Sequence, residues 1–275
     1  MAETDHAGEE AITGPVSQHG PIDQWTFDPR RRLSDAASAV EAFSPMTPRT
    51  AANFARAMAT LDQQAVDMFL DREEGRLGDF DPLGPVKYAD FAFWTRRNVL
   101  LAEWLELDRM PPLDILDIGM GPGNFVMVAN SMGHRCVGTD VADAWYGALC
   151  ELAGAKRIIA PVEDAEPYRP AARRFDLITI MLPVFHRRSM NKQREYWTTE
   201  RWGRFLRGLA RDMLVEGGRI FILMPLDKAD DGALSYSPLL PWARNLGARL
   251  DRTAPGEPVR HVLFENVGPD YFPQN

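Results

Sequence analysis

Five residues of this chain have types and spacing that suit a ligand site: Asp117, Gly119, Gly121, Gly123 and, 17 positions beyond the last glycine, Asp140. Glycines spaced G-x-G-x-G tolerate positive φ and carry no Cβ, so a ligand can lie against the backbone itself. An acid that closes the following strand can accept two hydrogen bonds from the 2′- and 3′-hydroxyls of a ribose, and charged acceptors make the stronger bonds of this kind. Further on, His186 follows an apolar run that ends near Met181. An imidazole has an unperturbed pKa of about 6.5, so it can take a proton at neutral pH.

The glycines need a strand before them and a helix after them. Leu113, Ile115, Leu116 and Ile118 supply the apolar run of a strand, and Phe125, Val126, Val128 and Ala129 continue at helical spacing. Pro122 suits the first helical turn, where its missing N–H costs nothing. The dinucleotide fingerprint wants a third glycine five residues after the first, and Asn124 stands there. Asp140 itself fits an adenosine ribose and does not choose between cofactors.

The stretch from Asp117 to Asn124 resembles motif I of the class I S-adenosylmethionine (AdoMet)-dependent methyltransferases. The resemblance extends over about Leu113 to Phe264. It implies a turn that cradles the methionine and ribose of AdoMet, with Asp117 near the cofactor's ammonium. Val162-Glu163-Asp164-Ala165-Glu166 looks like the family's adenine segment, in which Asp164 would accept from the adenine amino group and the Ala165 backbone N–H would reach a ring nitrogen. Phe175-Asp176 opens a strand like the family's F-D-x-[IV], and His186 stands ten residues past Asp176 as the family's histidine often does. Met181 would lie against the cofactor, at the strand end where open α/β sheets place their ligands.

The rest of the chain supplies the scaffold. Residues 1–46 hold several Gly-Pro and X-Pro pairs and little periodicity, and read as a loosely ordered arm with Trp25 and Phe27 as anchors. Residues 47–110 read as a helical cap, with Thr47 capping and Pro48 at the first position. Its first helix should run to Gly75 with Phe54, Met58, Leu61, Ala65 and Met68 on one face, and its second from Asp90 to Leu107. Lys87, Tyr88, Arg96 and Arg97 are the cap's polar candidates for an acceptor pocket. Residues 111–275 alternate strand and helix, which predicts a Rossmann-like α/β core. A long helix is expected from Arg194 to Leu214. The link Pro255 to Pro258 is so short that the last two strands must pair antiparallel. That gives a mostly parallel seven-stranded sheet with an antiparallel C-terminal pair.

Composition narrows the function. The chain has 275 residues, 45% of them hydrophobic, and a formal net charge of −8, which disfavours wholesale binding to nucleic acid. Two cysteines, Cys136 and Cys150, exclude a disulfide framework. No stretch approaches the roughly 20 apolar residues of a membrane span, and a cytoplasmic protein is expected. No His/Cys cluster has zinc-like spacing, so no metal is expected. Arg201, Arg204, Arg207 and Arg211 fall on one helix face. They suit a solvated surface, or docking of an acidic carrier or a second copy. The expectation is AdoMet-dependent methyl transfer to a small or medium-sized molecule, with His186 as the candidate base. A non-catalytic AdoMet-binding scaffold and an NAD(P)-dependent oxidoreductase are the alternatives.

Overall fold

The structure is a computed structural model that describes residues 28–36, 38, 46–78, 84–163, 168–185, 187–190, 193–226, 234–253 and 256–273; for 187–190 and 193–195 it describes the backbone alone. The strands in chain order are β1 (Asp114–Ile118), β2 (Arg135–Asp140), β3 (Arg157–Ile159), β4 (Phe175–Met181), β5 (Arg187–Met190), β6 (Gln193–Tyr196), β7 (Leu214–Leu223), β8 (Arg249–Arg252) and β9 (Val259–Val267). Seven of them form one sheet in the order β3-β2-β1-β4-β7-β9-β8. The first five run parallel. β9 runs antiparallel between β7 and β8. This is the sheet anticipated from the alternating pattern and the short final link.

Eight α-helices are described: α1 (Pro48–Met58), α2 (Gln63–Arg72), α3 (Glu74–Gly78), α4 (Phe91–Trp104), α5 (Asn124–Ser131), α6 (Ala144–Leu152), α7 (Thr199–Asp212) and α8 (Leu239–Asn245). The central strands are buried on both sides, as parallel strands under two helical layers must be. Ile115, Leu177, Phe221 and Leu263 face a core built with α1, α2 and α4–α6. Leu116, Ile118, Ile178, Ile180 and Ile222 face the other, where α7 contributes Trp202, Phe205, Leu206 and Leu209.

The N-terminal helices differ from the expected pair. The helix foreseen from Thr47 to Gly75 breaks after Met58, and Asp62 caps a new one by accepting from the Ala65 N–H at 3.0 Å. The break resets the phase. Val66, Phe69 and Leu70 turn inward while Met68 is 64% exposed. Thr47 does cap α1, its Oγ1 accepting from the Thr50 N–H at 3.1 Å. Polar contacts join α1 to the end of α4: Arg49 pairs with Asp108, and Asn53 Nδ2 donates to Glu103 Oε1 at 2.8 Å. Part of the arm is docked as well. The Asp28 N–H donates to Asp90 Oδ2 at 3.0 Å, Arg31 pairs with Asp90, and Ala36 is buried. Trp25 and Phe27 lie outside the described residues.

A second correction falls after β4. The helix expected from Arg194 starts at Thr199, because β5 and β6 form an antiparallel hairpin there. Thr198 marks the true start, its Oγ1 accepting from the Arg201 N–H at 3.3 Å. Trp202, Phe205, Leu206 and Leu209 form the buried face of α7. Three of its four arginines are engaged locally: Arg211 with Asp212, Arg207 with the Pro273 carbonyl, and Arg201 over the Trp197 ring, while Arg204 is exposed.

Candidate functional site

A pocket of about 380 Å³ opens at the carboxyl ends of the parallel strands, within the usual size range for small-molecule sites. Gly119 and Gly121, Asp140, Met181 and Leu223 line it from the ends of β1, β2, β4 and β7, and Tyr88, Trp94, Arg97, Asn98 and Leu101 line it from α4 and the turn before it.

The glycine turn is stitched to β2. The N–H groups of Gly119 and Met120 donate to the Thr139 carbonyl at 2.8 and 3.0 Å. Asp140 Oδ2 accepts from the Gly121 N–H at 2.5 Å and its Oδ1 from the Val141 N–H at 2.7 Å. The carboxylate is thereby held in place, and each oxygen keeps a lone pair for a further donor. Gly119, Gly121 and Gly123 all have positive φ, at 75°, 54° and 82°. Their roles divide. A Cβ at Gly119 or Gly121 would meet nothing within 4 Å, whereas one at Gly123 would stand 2.6 Å from the Ala155 Cβ. The first two glycines keep the pocket floor bare. The third lets the turn pack on α6 and does not line the pocket. Cys150 of α6 supports the turn from below, its thiol donating to the Gly121 carbonyl at 3.4 Å. Burial pushes that thiol up to about 11, so it stays protonated. Both cysteines are free.

Asp117 lies beneath the pocket and does not line it. Strand alternation turns its side chain onto the face covered by α4 and α5. There it is fully buried, Oδ1 accepting from Thr179 Oγ1 at 2.7 Å and Oδ2 without a partner. Burial pushes its pKa up to about 7, opposed by the Thr179 hydrogen bond and assisted by the charge of Asp140. Asp176, at the amino end of the central strand β4 and away from the pocket, accepts from the Asp114 N–H at 2.7 Å and is structural. Asp164, Ala165 and His186 lie outside the described residues.

Several lining residues had no signal as site residues. Asn124 stood out in the sequence only as the missing third glycine. It is 3% exposed, lines the pocket, and neither atom of its amide has a partner. A buried amide left unpaired is costly unless a ligand answers it. Tyr146 and Tyr88 meet edge to face at 5.7 Å, and Tyr88 packs on Trp94 at 4.6 Å, forming an aromatic wall. Burial raises both phenols. Tyr168 closes the side toward β3, donating to the Ala160 carbonyl at 2.9 Å, and its phenol is pushed up to about 12 by burial. Tyr146 and Tyr168 read as packing residues in a linear sequence, whereas Tyr88 was one of the cap's polar candidates; the path of the turn Pro85–Ala89 across α6, fixed by the Trp145 Nε1 bond to the Pro85 carbonyl at 3.0 Å, brings Tyr88 to Tyr146.

Among the described residues no group of His, Cys, Asp and Glu side chains could hold a metal ion, and no helix is long and apolar enough to cross a membrane.

No known family's sequence profile matches the chain, and no curated protein matches its sequence. Solved structures do match. A TehB-like SAM-dependent methyltransferase from Corynebacterium glutamicum is 17% identical, with 74% of this chain and 100% of that one covered and a TM-score of 0.42. A magnesium protoporphyrin IX methyltransferase from Synechocystis with bound SAM is 15% identical, with 76% and 95% covered and a TM-score of 0.43. A Nostoc punctiforme structure whose proposed activity is O-methyl transfer is 16% identical, at a TM-score of 0.45, and this chain covers 68% of itself and 62% of that chain in the match.

Proposed function

We propose that this protein is an AdoMet-dependent methyltransferase acting on a small or medium-sized molecule. The observation that carries the reading is the bare glycine floor locked to Asp140 in one pocket. A ribose can lie on that floor and present its hydroxyls to Asp140, whose oxygens are already oriented. The unpartnered amide of Asn124 supplies one donor and one acceptor beside it, which suits the amino-acid end of the cofactor better than a pyrophosphate. Asn124 also occupies the place where a dinucleotide site wants glycine. Met181 lines the same pocket and suits the apolar flank of the sulfonium.

Bound AdoMet would supply a methyl group already activated by the sulfonium. The chain's task is then to hold the acceptor in line at near-attack distance and to keep water out. The aromatic wall and the α4 side chains serve both ends. A base is needed only where the acceptor must lose a proton. His186 is the candidate, since its chain neighbour Phe185 lines the pocket. His186→Ala should leave AdoMet affinity intact and lower kcat by about a hundredfold or more, with loss of an acidic limb near the imidazole pKa. A fall of less than about tenfold with an unchanged pH profile would remove His186 from the chemistry.

The function is tested by incubating the protein with methyl-labelled AdoMet and fractionated cell extract. Release of S-adenosylhomocysteine matched by label in an acceptor is the expected result. Tight AdoMet binding with no turnover in any fraction would instead make the protein a scaffold.

A further inference from the structure

The α4 side of the pocket contains charge that the cofactor reading leaves unused. Arg97 lines the pocket and lies over the Trp94 ring, its Cζ 5.1 Å from the centroid. Among the described residues its guanidinium makes no hydrogen bond and no ion pair. A second guanidinium, that of Arg260 on β9, is 6% exposed behind it and spends its Nε on the Met224 carbonyl at 2.8 Å. Glu257 acts on both arginines through space but forms an ion pair with neither, and its own Oε2 is buried without a partner. Burial and the like charge of Arg260 push Arg97 down to about 10, so it remains a cation at neutral pH. Tyr88 and His261 are also within electrostatic reach of Arg97. Arg260 is buried and Arg97 half-buried at the pocket wall; neither touches a carboxylate, and an anionic ligand is the natural compensation.

Position decides which ligand that is. Asp140 fixes the ribose end of the site at β2. α4, which carries Arg97, lies over β7 and β9, its Trp104 ring 5.4 Å from Phe221 and 4.9 Å from His261, on the other side of β4 from Asp140. Arg97 therefore lines the pocket from the α4 side, away from the ribose end, where an acceptor would lie.

Resting on the methyltransferase reading, we propose that the methyl acceptor carries an oxyanion, a carboxylate on an apolar body being its simplest form, and that Arg97 holds that group. Arginine's planar fork matches a carboxylate in two parallel hydrogen bonds. Trp94, Tyr88 and Leu101 offer the apolar body its walls.

The test uses benzoate as probe and benzamide as its neutral match in shape, titrated into the full-length protein saturated with S-adenosylhomocysteine. Benzoate should bind at least about tenfold more tightly than benzamide. Arg97→Gln should erase that preference and Arg97→Lys retain part of it, both with S-adenosylhomocysteine affinity within about threefold of the parent, which also reports that the variants are folded. Equal binding of the two probes, or binding of neither at about 10 mM, would overturn the proposal. So would an Arg97→Gln variant that loses S-adenosylhomocysteine as strongly as benzoate, because Arg97 would then serve the cofactor's own carboxylate. Failure of the parent protein to bind S-adenosylhomocysteine at all is a separate result, and removes the cofactor reading beneath it.

Discussion

The two sides of the pocket are built from different materials. The floor is backbone: two bare glycines, the Thr139 carbonyl, and a carboxylate clamped by two N–H groups. The α4 side is all side chain: Tyr88, Trp94, Arg97, Asn98 and Leu101. A backbone site tolerates no added atom, so it fixes one ligand. A side-chain site can be rebuilt one residue at a time without disturbing the sheet, so it can be fitted to any acceptor. On that view the floor sets the cofactor and α4 sets the substrate.

The largest expected effect comes from filling the floor. Gly121→Val should abolish S-adenosylhomocysteine binding, a loss of more than about a hundredfold. The chain should still fold, because the new side chain enters open space and the positive φ costs only about 1–2 kcal/mol. Gly123→Ala sharpens the comparison. Its Cβ would collide with Ala155, so it should lower stability by about 1–3 kcal/mol. Equilibrium unfolding and calorimetry on both variants separate the ligand glycine from the packing glycine. If Gly121→Val binds normally, the floor is not the cofactor site.

Asp140→Ala should cost about 1.5–3 kcal/mol of cofactor binding, the scale of hydrogen bonds to a charged group. Asp140→Asn keeps an acceptor for the Gly121 N–H and should lose less. Equal losses would mean that Asp140 acts through its charge and not by holding the turn.

A smaller effect is expected beneath the floor. The Asp117 pKa is raised from 3.8 to about 7 in the folded protein. Between those values the folded state holds a proton that the unfolded chain has released. Stability from this group is therefore fully present below the unfolded pKa and is lost as pH rises toward 7, at up to about 1.4 kcal/mol per pH unit. His261 pulls the other way. It is buried with its pKa depressed to about 4, so its contribution is lost as pH falls from 6.5. Asp117→Asn removes only the first slope. Urea unfolding at pH 5 and pH 8 should show the stability difference moving in the variant's favour with rising pH. A constant difference would contradict the burial of an ionisable Asp117.

What the sequence disclosed follows the same division. Strand, glycine turn and helix were legible because the turn's chemistry is local: glycine is the residue that accepts φ near 54° without a penalty and leaves the floor bare. The mostly parallel sheet with its antiparallel final pair followed from alternation and one short link. The α4 side was not legible in the same way. Lys87, Tyr88, Arg96 and Arg97 could be named as polar candidates, but Tyr88 and Arg97 line the pocket and Lys87 and Arg96 do not. That choice depends on how α4 packs against α5 and the sheet, which no periodicity records. The orientation of Asp117 was not legible either. Its spacing from the glycines matches the family's acid, and alternation along β1 buries its side chain beside Thr179, beneath the pocket floor. The break at Ala59–Asp62 escaped because an apolar repeat looks continuous across it, and only the cap at Asp62 marks the new start.

The most direct test of the central claim is a calorimetric titration of the full-length protein with AdoMet, S-adenosylhomocysteine and NAD. Both sulfur ligands should give saturable binding heat and NAD none, because the floor suits an adenosine ribose and Asn124 stands where a pyrophosphate site needs glycine. Binding of NAD with no heat from AdoMet would contradict the account.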